Sequence, residues 1–231
     1  MKIFSISDLH LSENSDKPMD IFGPVWEGAF EKICADWQSK VSDDDIVLLC
    51  GDLSWAMKLE DAKADLMLLE KLNGKKILLK GNHDYWWQGI TALRSILPKD
   101  FYAIQNDALK IDNYVFCGTR GWIIPSGKFD TEENQRIYKR EVERLKLSLQ
   151  AMTRLKNDGD KVICLMHYPP FLQNEEDTGF TELIEKYNVD IVVFGHIHKN
   201  LSGYKFKTTK NGVEYYLTSC DLLENKLVEI K

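Results

Sequence analysis

The stretch Lys80-Gly81-Asn82-His83-Asp84, set directly behind the apolar run Ile77-Leu78-Leu79, decides how the rest of the chain is read. The run reads as a buried strand, and the five residues as the loop at its C-terminal end. Asn82 offers an amide oxygen to a metal ion. His83 offers a proton near neutral pH, and Asp84 a carboxylate able to hold that imidazole in one tautomer.

Outward from this loop, the same kind of apolar run recurs. Residues 2–8, Ile46-Val47-Leu48-Leu49-Cys50, Val162-Ile163-Cys164-Leu165-Met166 and Ile191-Val192-Val193-Phe194 all read as buried strands. Helical spacings lie between them. Trp26, Phe30, Ile33 and Trp37 follow Gly23-Pro24, and Leu59, Ala62, Leu66, Leu69 and Leu72 precede the stop Asn73-Gly74. Ile90, Leu93 and Leu97 end at Pro98. Asp130 with Glu133 predicts a capping box for a helix over 131–156, and a further helix is expected at 180–187. This β-α-β rhythm predicts a mainly parallel sheet. Asp112-Asn113 predicts an antiparallel pair within 101–118. Asn211-Gly212 predicts a hairpin in a tail of added antiparallel strands that ends with 227–230. With no linker, repeat or low-complexity segment, residues 1–231 read as a single domain.

Composition sets the outer bounds. Of 231 residues, 44% are hydrophobic and 29% charged, which is ordinary for a soluble globular protein with a sizeable core. The net charge of −6, without a block of Lys and Arg, argues against a nucleic-acid partner. No uncharged run approaches the length of a membrane span, and the apolar N-terminus is too short for a signal peptide. Cys34, Cys50, Cys117, Cys164 and Cys220 are odd in number and lack CxxC spacing, so they read as buried small hydrophobes in a reducing cytoplasm.

The chemistry lies at the strand ends. Asp8 and His10 follow the first strand, Gly51-Asp52 the second, and Asn82, His83 and Asp84 the third. His167 follows the Val162 strand, and His196 and His198 follow the Ile191 strand. In an open parallel sheet these ends share the ligand-binding edge. Taken singly, a histidine after a strand is an ordinary loop residue and an aspartate an ordinary helix cap. That explanation fails jointly, because all five histidines of the chain collect at one edge with two aspartates and an asparagine. A mixed O/N donor set without thiolate suits two divalent transition-metal ions, with Mn²⁺ first and Fe, Zn²⁺, Co²⁺ or Ni²⁺ as alternatives. Such a centre stays cationic and attracts a phosphate-like anion.

With these residues in place, the chain resembles the calcineurin-like metallophosphoesterase superfamily. The family pattern reads here as Asp8-Leu9-His10, Gly51-Asp52, Gly81-Asn82-His83-Asp84, His167 and Gly195-His196-Ile197-His198. The resemblance implies an α/β fold, a four-layer α/β/β/α sandwich with two mixed sheets. It also implies that Asp8, His10 and His198 hold one metal and Asn82, His167 and His196 the other, with Asp52 bridging them. Ions about 3.5–4 Å apart would clamp an in-line displacement, with metal-bound hydroxide as the nucleophile. His83 would serve as proton donor to the leaving oxygen, and Asp84 is expected to orient it.

Departures from the family's protein phosphatases narrow the substrate. Gly51-Asp52-Leu53-Ser54-Trp55 lacks their phosphate-gripping Arg, and Asp84 stands where they carry Glu. The chain therefore looks like the bacterial phosphodiesterase-type branches, acting on a small phosphorylated substrate such as a diester or nucleotide. A phosphomonoesterase, a nuclease and a non-catalytic metal-binding scaffold are the alternatives. Trp55, Trp86, Trp87 and Trp122, with Tyr85, lie near the motif loops. They read either as an aromatic wall for a base, sugar or acyl chain, with Trp55 and Trp86 the chosen contacts, or as packing. Arg120 reads either as a fork for substrate phosphate or as a structural ion pair. The loop 11–23 is long enough for a lid, but reads as a plain surface loop.

Overall fold

Strand β2 (Ile46–Cys50) explains why the apolar runs show no polar alternation. Ile46, Leu48 and Cys50 point into one core, while Val47 and Leu49 point into another. The strand is covered on both faces, so every position is apolar. In the computed structural model, which describes residues 1–13, 17–198 and 203–231, the same burial on both faces recurs at Ile3–Ile6, 162–166 and Ile191–Phe194.

Among the described residues, eleven strands form two mixed sheets. The first contains β1 (Ile3–Ile6), β2, β3 (Lys75–Leu79), β4 (Phe101–Ile104) and β11 (Val228–Ile230), in the order β11-β1-β2-β3-β4. The second contains β5 (Ala108–Ile111), β6 (Tyr114–Thr119), β7 (Lys161–Met166), β8 (Ile191–Phe194), β9 (Lys207–Lys210) and β10 (Val213–Leu217), in the order β5-β6-β7-β8-β10-β9. The sheets pack face to face through Ile46, Leu48, Ile77 and Leu79 from one and Phe116, Ile163, Leu165 and Val193 from the other. Helices α1 (Ala29–Lys40), α2 (Leu59–Glu70) and α3 (Ile90–Arg94) cover the outer face of the first sheet through Trp37, Leu66 and Leu93. Helices α4 (Glu132–Leu155) and α5 (Gly179–Lys186) cover the second through Leu145, Leu149 and Phe180. The result is the four-layer α/β/β/α sandwich.

Several local expectations need correcting. The segment 101–118 is not one antiparallel pair. Its first part, β4, is a parallel edge strand of the first sheet, and only β5 and β6 form the hairpin, turning at Asp112 with φ 51°. The tail is not simply antiparallel either. The Asn211-Gly212 turn does join β9 and β10 as a hairpin, but β10 lies parallel to β8, and β11 crosses to pair antiparallel with β1. The cap of α4 is Thr131, whose side chain accepts from the Asn134 N–H, rather than Asp130. Trp26 stands on a short 3-10 turn, Pro24–Trp26, before α1 begins. Within the expected loop 11–23, Asn14, Ser15 and Asp16 lie outside the described residues, and Asp20–Phe22 forms a 3-10 turn.

The ends of the two sheets are laced together. The Ser7 N–H donates to the Thr218 carbonyl and the Cys220 N–H to the Ser7 carbonyl, so β1 continues alongside the exit of β10. The Asp8 N–H donates to Gly51 and the His10 N–H to Asp52. The C-terminal edges of both sheets thus meet at one place.

Candidate metal centre

Two clusters of donor atoms form where those edges meet. Asp8 and His10, leaving β1, face His198, which follows β8; the Asp8 Oδ1 lies 3.7 Å from the His198 Nε2. Asp52, leaving β2, faces His167 and His196, which follow β7 and β8. Asn82, leaving β3, joins this second group with its Oδ1 2.7 Å from the His167 Nε2, and the His196 Nδ1 lies 3.2 Å from the same nitrogen. The Asp52 Oδ2 faces both groups, 3.8 Å from the His10 Nε2 and 3.5 Å from the His167 Nε2, whereas the Asp8 Oδ1 reaches His167 only at its Nδ1, 3.9 Å away, which is paired with the Cys50 carbonyl. All seven residues expected as metal ligands are brought together.

The backbone is bent to achieve this. Asp8, His10, Asp52 and His196 have φ of 60°, 48°, 51° and 70°, in the left-handed region that side chains other than Asn, Asp and Gly seldom enter. Strain of about 1–3 kcal/mol per residue is typical of functional loops held by their surroundings. Two glycines allow the close approach. A Cβ on Gly81 would meet the Asp52 carboxylate, and one on Gly195 would meet Ser7 and Asp8.

Hydrogen bonds aim the rings. The His167 Nδ1 lies 2.9 Å from the Cys50 carbonyl, which accepts its proton and leaves Nε2 as the free donor atom. The His198 Nδ1 lies 3.0 Å from the Asp221 Oδ1 in the same way, turning its Nε2 toward Asp8. The Asp8 carboxylate accepts from the Ser7 hydroxyl at 2.6 Å and from the His196 N–H. The His83 N–H donates to the Asp52 Oδ1 at 2.7 Å.

The donor set fits divalent ions. Asp8 and Asp52 are 0% and 1% exposed, and among the described residues their charged partners are imidazoles. Buried carboxylates of this kind require a cation. Burial alone would lower the His167 pKa, but Asp52 and Asp8 hold it up to about 9, a sign of the negative charge the two carboxylates concentrate there. Burial would raise the Asp52 pKa, and His167 and His10 instead hold it well below the carboxylate range. Burial drives His10 down to about 4 and His196 to about 3, leaving neutral, ligand-competent rings. The His10 Nδ1 is buried without a hydrogen-bond partner.

His83 stands at the rim. Its ring centroid is 4.6 Å from that of Trp55 and 5.8 Å from that of His10, and its Nδ1 is also unpartnered. Burial lowers its pKa, with Asp52 pulling the other way.

Asp84 does not orient His83. Its carboxylate accepts from the N–H groups of Asp52, Leu53, Ser54 and Gly81, and from the Trp86 Nε1 at 3.0 Å. It braces the loop after β2 against the loop after β3. Burial and the neighbouring Asp52 charge raise its pKa to about 6.

Trp86 likewise leaves the expected substrate set. It is 0% exposed in the outer core of the first sheet. Trp55 does reach the cleft, its ring stacked on His10 at 4.8 Å. Arg120 takes the ion-pair reading: it lies 3.5 Å from the buried Glu141, which Arg140 and Arg144 also contact, and its guanidinium covers Trp122. Sequence reasoning missed Asp221 and Trp26. Asp221 stands just past the end of β10, so the strand-end rule reaches it once β10 is known to be parallel to β8.

Comparison with known proteins agrees with this picture. Residues 1–200 match the family model described as calcineurin-like phosphoesterase. A probable cyclic nucleotide phosphodiesterase of Coxiella burnetii is 26% identical over 217 residues, covering 87% of this chain and 77% of the relative. A solved Thermus thermophilus protein superposes with a TM-score of 0.58 at 17% identity, covering 99% of this chain and 97% of that one. An Aquifex aeolicus protein of unknown function superposes at 0.52, also at 17% identity, over 99% and 95% of the two chains. At such identity the two structures speak for the fold alone.

Proposed function

The chain belongs to the calcineurin-like phosphoesterase family, and from that premise we propose that it is a dinuclear metal-dependent hydrolase of small phosphodiesters or nucleotide-like phosphoesters. Asp8, His10 and His198 would hold one divalent ion, and Asn82, His167 and His196 the other. The Asp52 Oδ2, within 4 Å of imidazoles from both groups, would bridge them. Bound there, a pair of ions, Mn²⁺ foremost, supplies Lewis acidity to the phosphoryl oxygens and lowers the pKa of water to about 7.

The remaining steps fall to the chain itself. The Cys50 carbonyl and Asp221 keep the His167 and His198 rings turned inward. Backbone contact with Asp52 ties the His83 loop to the centre. The His83 imidazole, which lines the cleft, donates a proton to the leaving oxygen.

The observation that carries this reading is the convergence of seven donor residues with a histidine beside them that is not needed as a ligand. A scaffold would have no use for that proton donor. Diesters are favoured over monoesters because no Arg or Lys is among the described residues lining the cleft at His10, His83 and His198. The Lys17 ammonium beside it rests on the Trp55 ring, so among the described residues no positive side chain is turned to the centre for a dianionic monoester. The five thiols, four of them buried, suit a reducing cytoplasm. The deciding experiment compares bis-p-nitrophenyl phosphate with p-nitrophenyl phosphate on Mn²⁺-loaded protein and on chelated protein. We expect diester preference and complete loss with chelator. Monoester preference would overturn the diester assignment, and turnover that survives chelation would overturn the metal mechanism.

A further inference from the structure

Beside the first donor cluster lies a slot of about 190 Å³, lined by Met19, Phe22, Trp26 and Trp55 together with His10, His83, His198 and Asp221. Its floor is the reaction centre itself, so whatever fills it is joined to the phosphorus by one or two bonds. The walls are aromatic and thioether groups. For comparison, an apolar cavity of about 150 Å³ holds a benzene molecule.

The polar groups of the slot are either engaged or, like the unpartnered His10 and His83 Nδ1 atoms, buried away from its surface. The Trp55 Nε1 donates to the Met19 sulfur at 3.2 Å, and Asp221 holds His198. The indole of Trp55 stacks on His10 and carries the Lys17 ammonium at 4.6 Å, which leaves little of its face for another ring. A nucleobase placed here would lose water from its hydrogen-bonding edge without replacement, a cost of about 1–3 kcal/mol for each unpaired group. A hydrocarbon chain loses nothing. The lip of the slot also suits a chain that runs outward: Phe22 lies there 50% exposed, and its neighbour Ile21 on the same 3-10 turn is 73% exposed.

Resting on the phosphodiesterase reading above, we infer that this slot takes the hydrocarbon chain of an amphiphilic phosphodiester, and that the enzyme selects its substrate by an apolar alcohol group rather than by a base. Such binding is the same in ground and transition state, so it lowers KM and leaves kcat unmoved.

The test is a series of alkyl p-nitrophenyl phosphate diesters, methyl through octyl, each below its critical micelle concentration, on the Mn²⁺-loaded full chain. The thymidine 5′-p-nitrophenyl ester serves as the base-bearing competitor. We expect kcat/KM to rise about fourfold per added methylene until the slot is full, at roughly 0.8 kcal/mol each, with the rise carried by KM. Phe22→Asp should flatten that slope. A readout independent of turnover is quenching of tryptophan fluorescence by alkylphosphonates, which should tighten with chain length in the same way. A flat chain-length series with turnover present, or a thymidine ester that outcompetes the hexyl ester, would overturn the slot assignment. Absence of turnover with every ester, together with chain-length-dependent quenching, would keep the slot and overturn the enzymatic reading instead.

Discussion

The two donor clusters use the same chemistry but have opposite surroundings. On the side of Asp8, His10 and His198 the neighbours are Trp26, Trp55, Met19 and Phe22, an open apolar face. On the side of Asp52, His167 and His196 they are Tyr168, whose ring lies 4.0 Å from that of His196, and then Arg120 pinned to Glu141 and stacked on Trp122. The charged flank is closed by its own ion pairs and the apolar flank is open. Under the proposed function a metal-loaded centre would attract phosphate from either side, so the difference between flanks would govern what can be attached to the phosphate.

The largest expected effect removes the comparison altogether. Asp52→Ala takes away the oxygen that faces an Nε2 of each cluster, and metal content measured by mass spectrometry should collapse together with turnover. Full occupancy of two ions in this variant would show that the clusters are independent and that no bridge exists. Next comes the residue that lies between the flanks. His83→Ala should retain its metals while kcat falls about 10²–10⁴-fold. An unchanged kcat would remove His83 from the chemistry.

A smaller effect sharpens the contrast. Asp221→Asn loosens the support of His198, so the ion held there should bind about 10–100-fold more weakly while the other is retained. Calorimetric titration should show one site weakened against the parent and the other unmoved. Equal weakening at both would mean that the clusters are coupled more tightly than their separate supports suggest. The smallest effect probes the closed flank. Arg120→Met leaves Glu141 with Arg140 and Arg144, so stability should fall by about 1–2 kcal/mol. KM for the diester should move less than about twofold. A tenfold rise in KM would make Arg120 a substrate contact and the charged flank a second binding wall.

Much of the centre was legible because its signals are local. An apolar run closed by Gly-Asp or by Gly-Asn-His announces a buried strand and the residues just beyond it, whatever the strand later pairs with. Asp8, His10, Asp52, Asn82, His167, His196 and His198 could all be named in this way. Asp84 and Trp86 were misread because their partners lie across loops. Asp84 stands beside His83 in the chain, yet its carboxylate turns to four backbone N–H groups and Trp86 follows it inward. Asp221 was invisible while β10 was read as half of a purely antiparallel tail.

The amino-acid order by itself determined the strand ends, the candidate donor types and the place of His83 beside them, since each depends on a residue and its immediate neighbours. Only the tertiary structure decided which side chains face the cleft, which backbone positions turn left-handed, and that one flank is apolar and the other ion-paired. Those outcomes depend on the pairing direction of strands far apart in the chain and on how two sheets meet at their edges. No local period encodes that geometry.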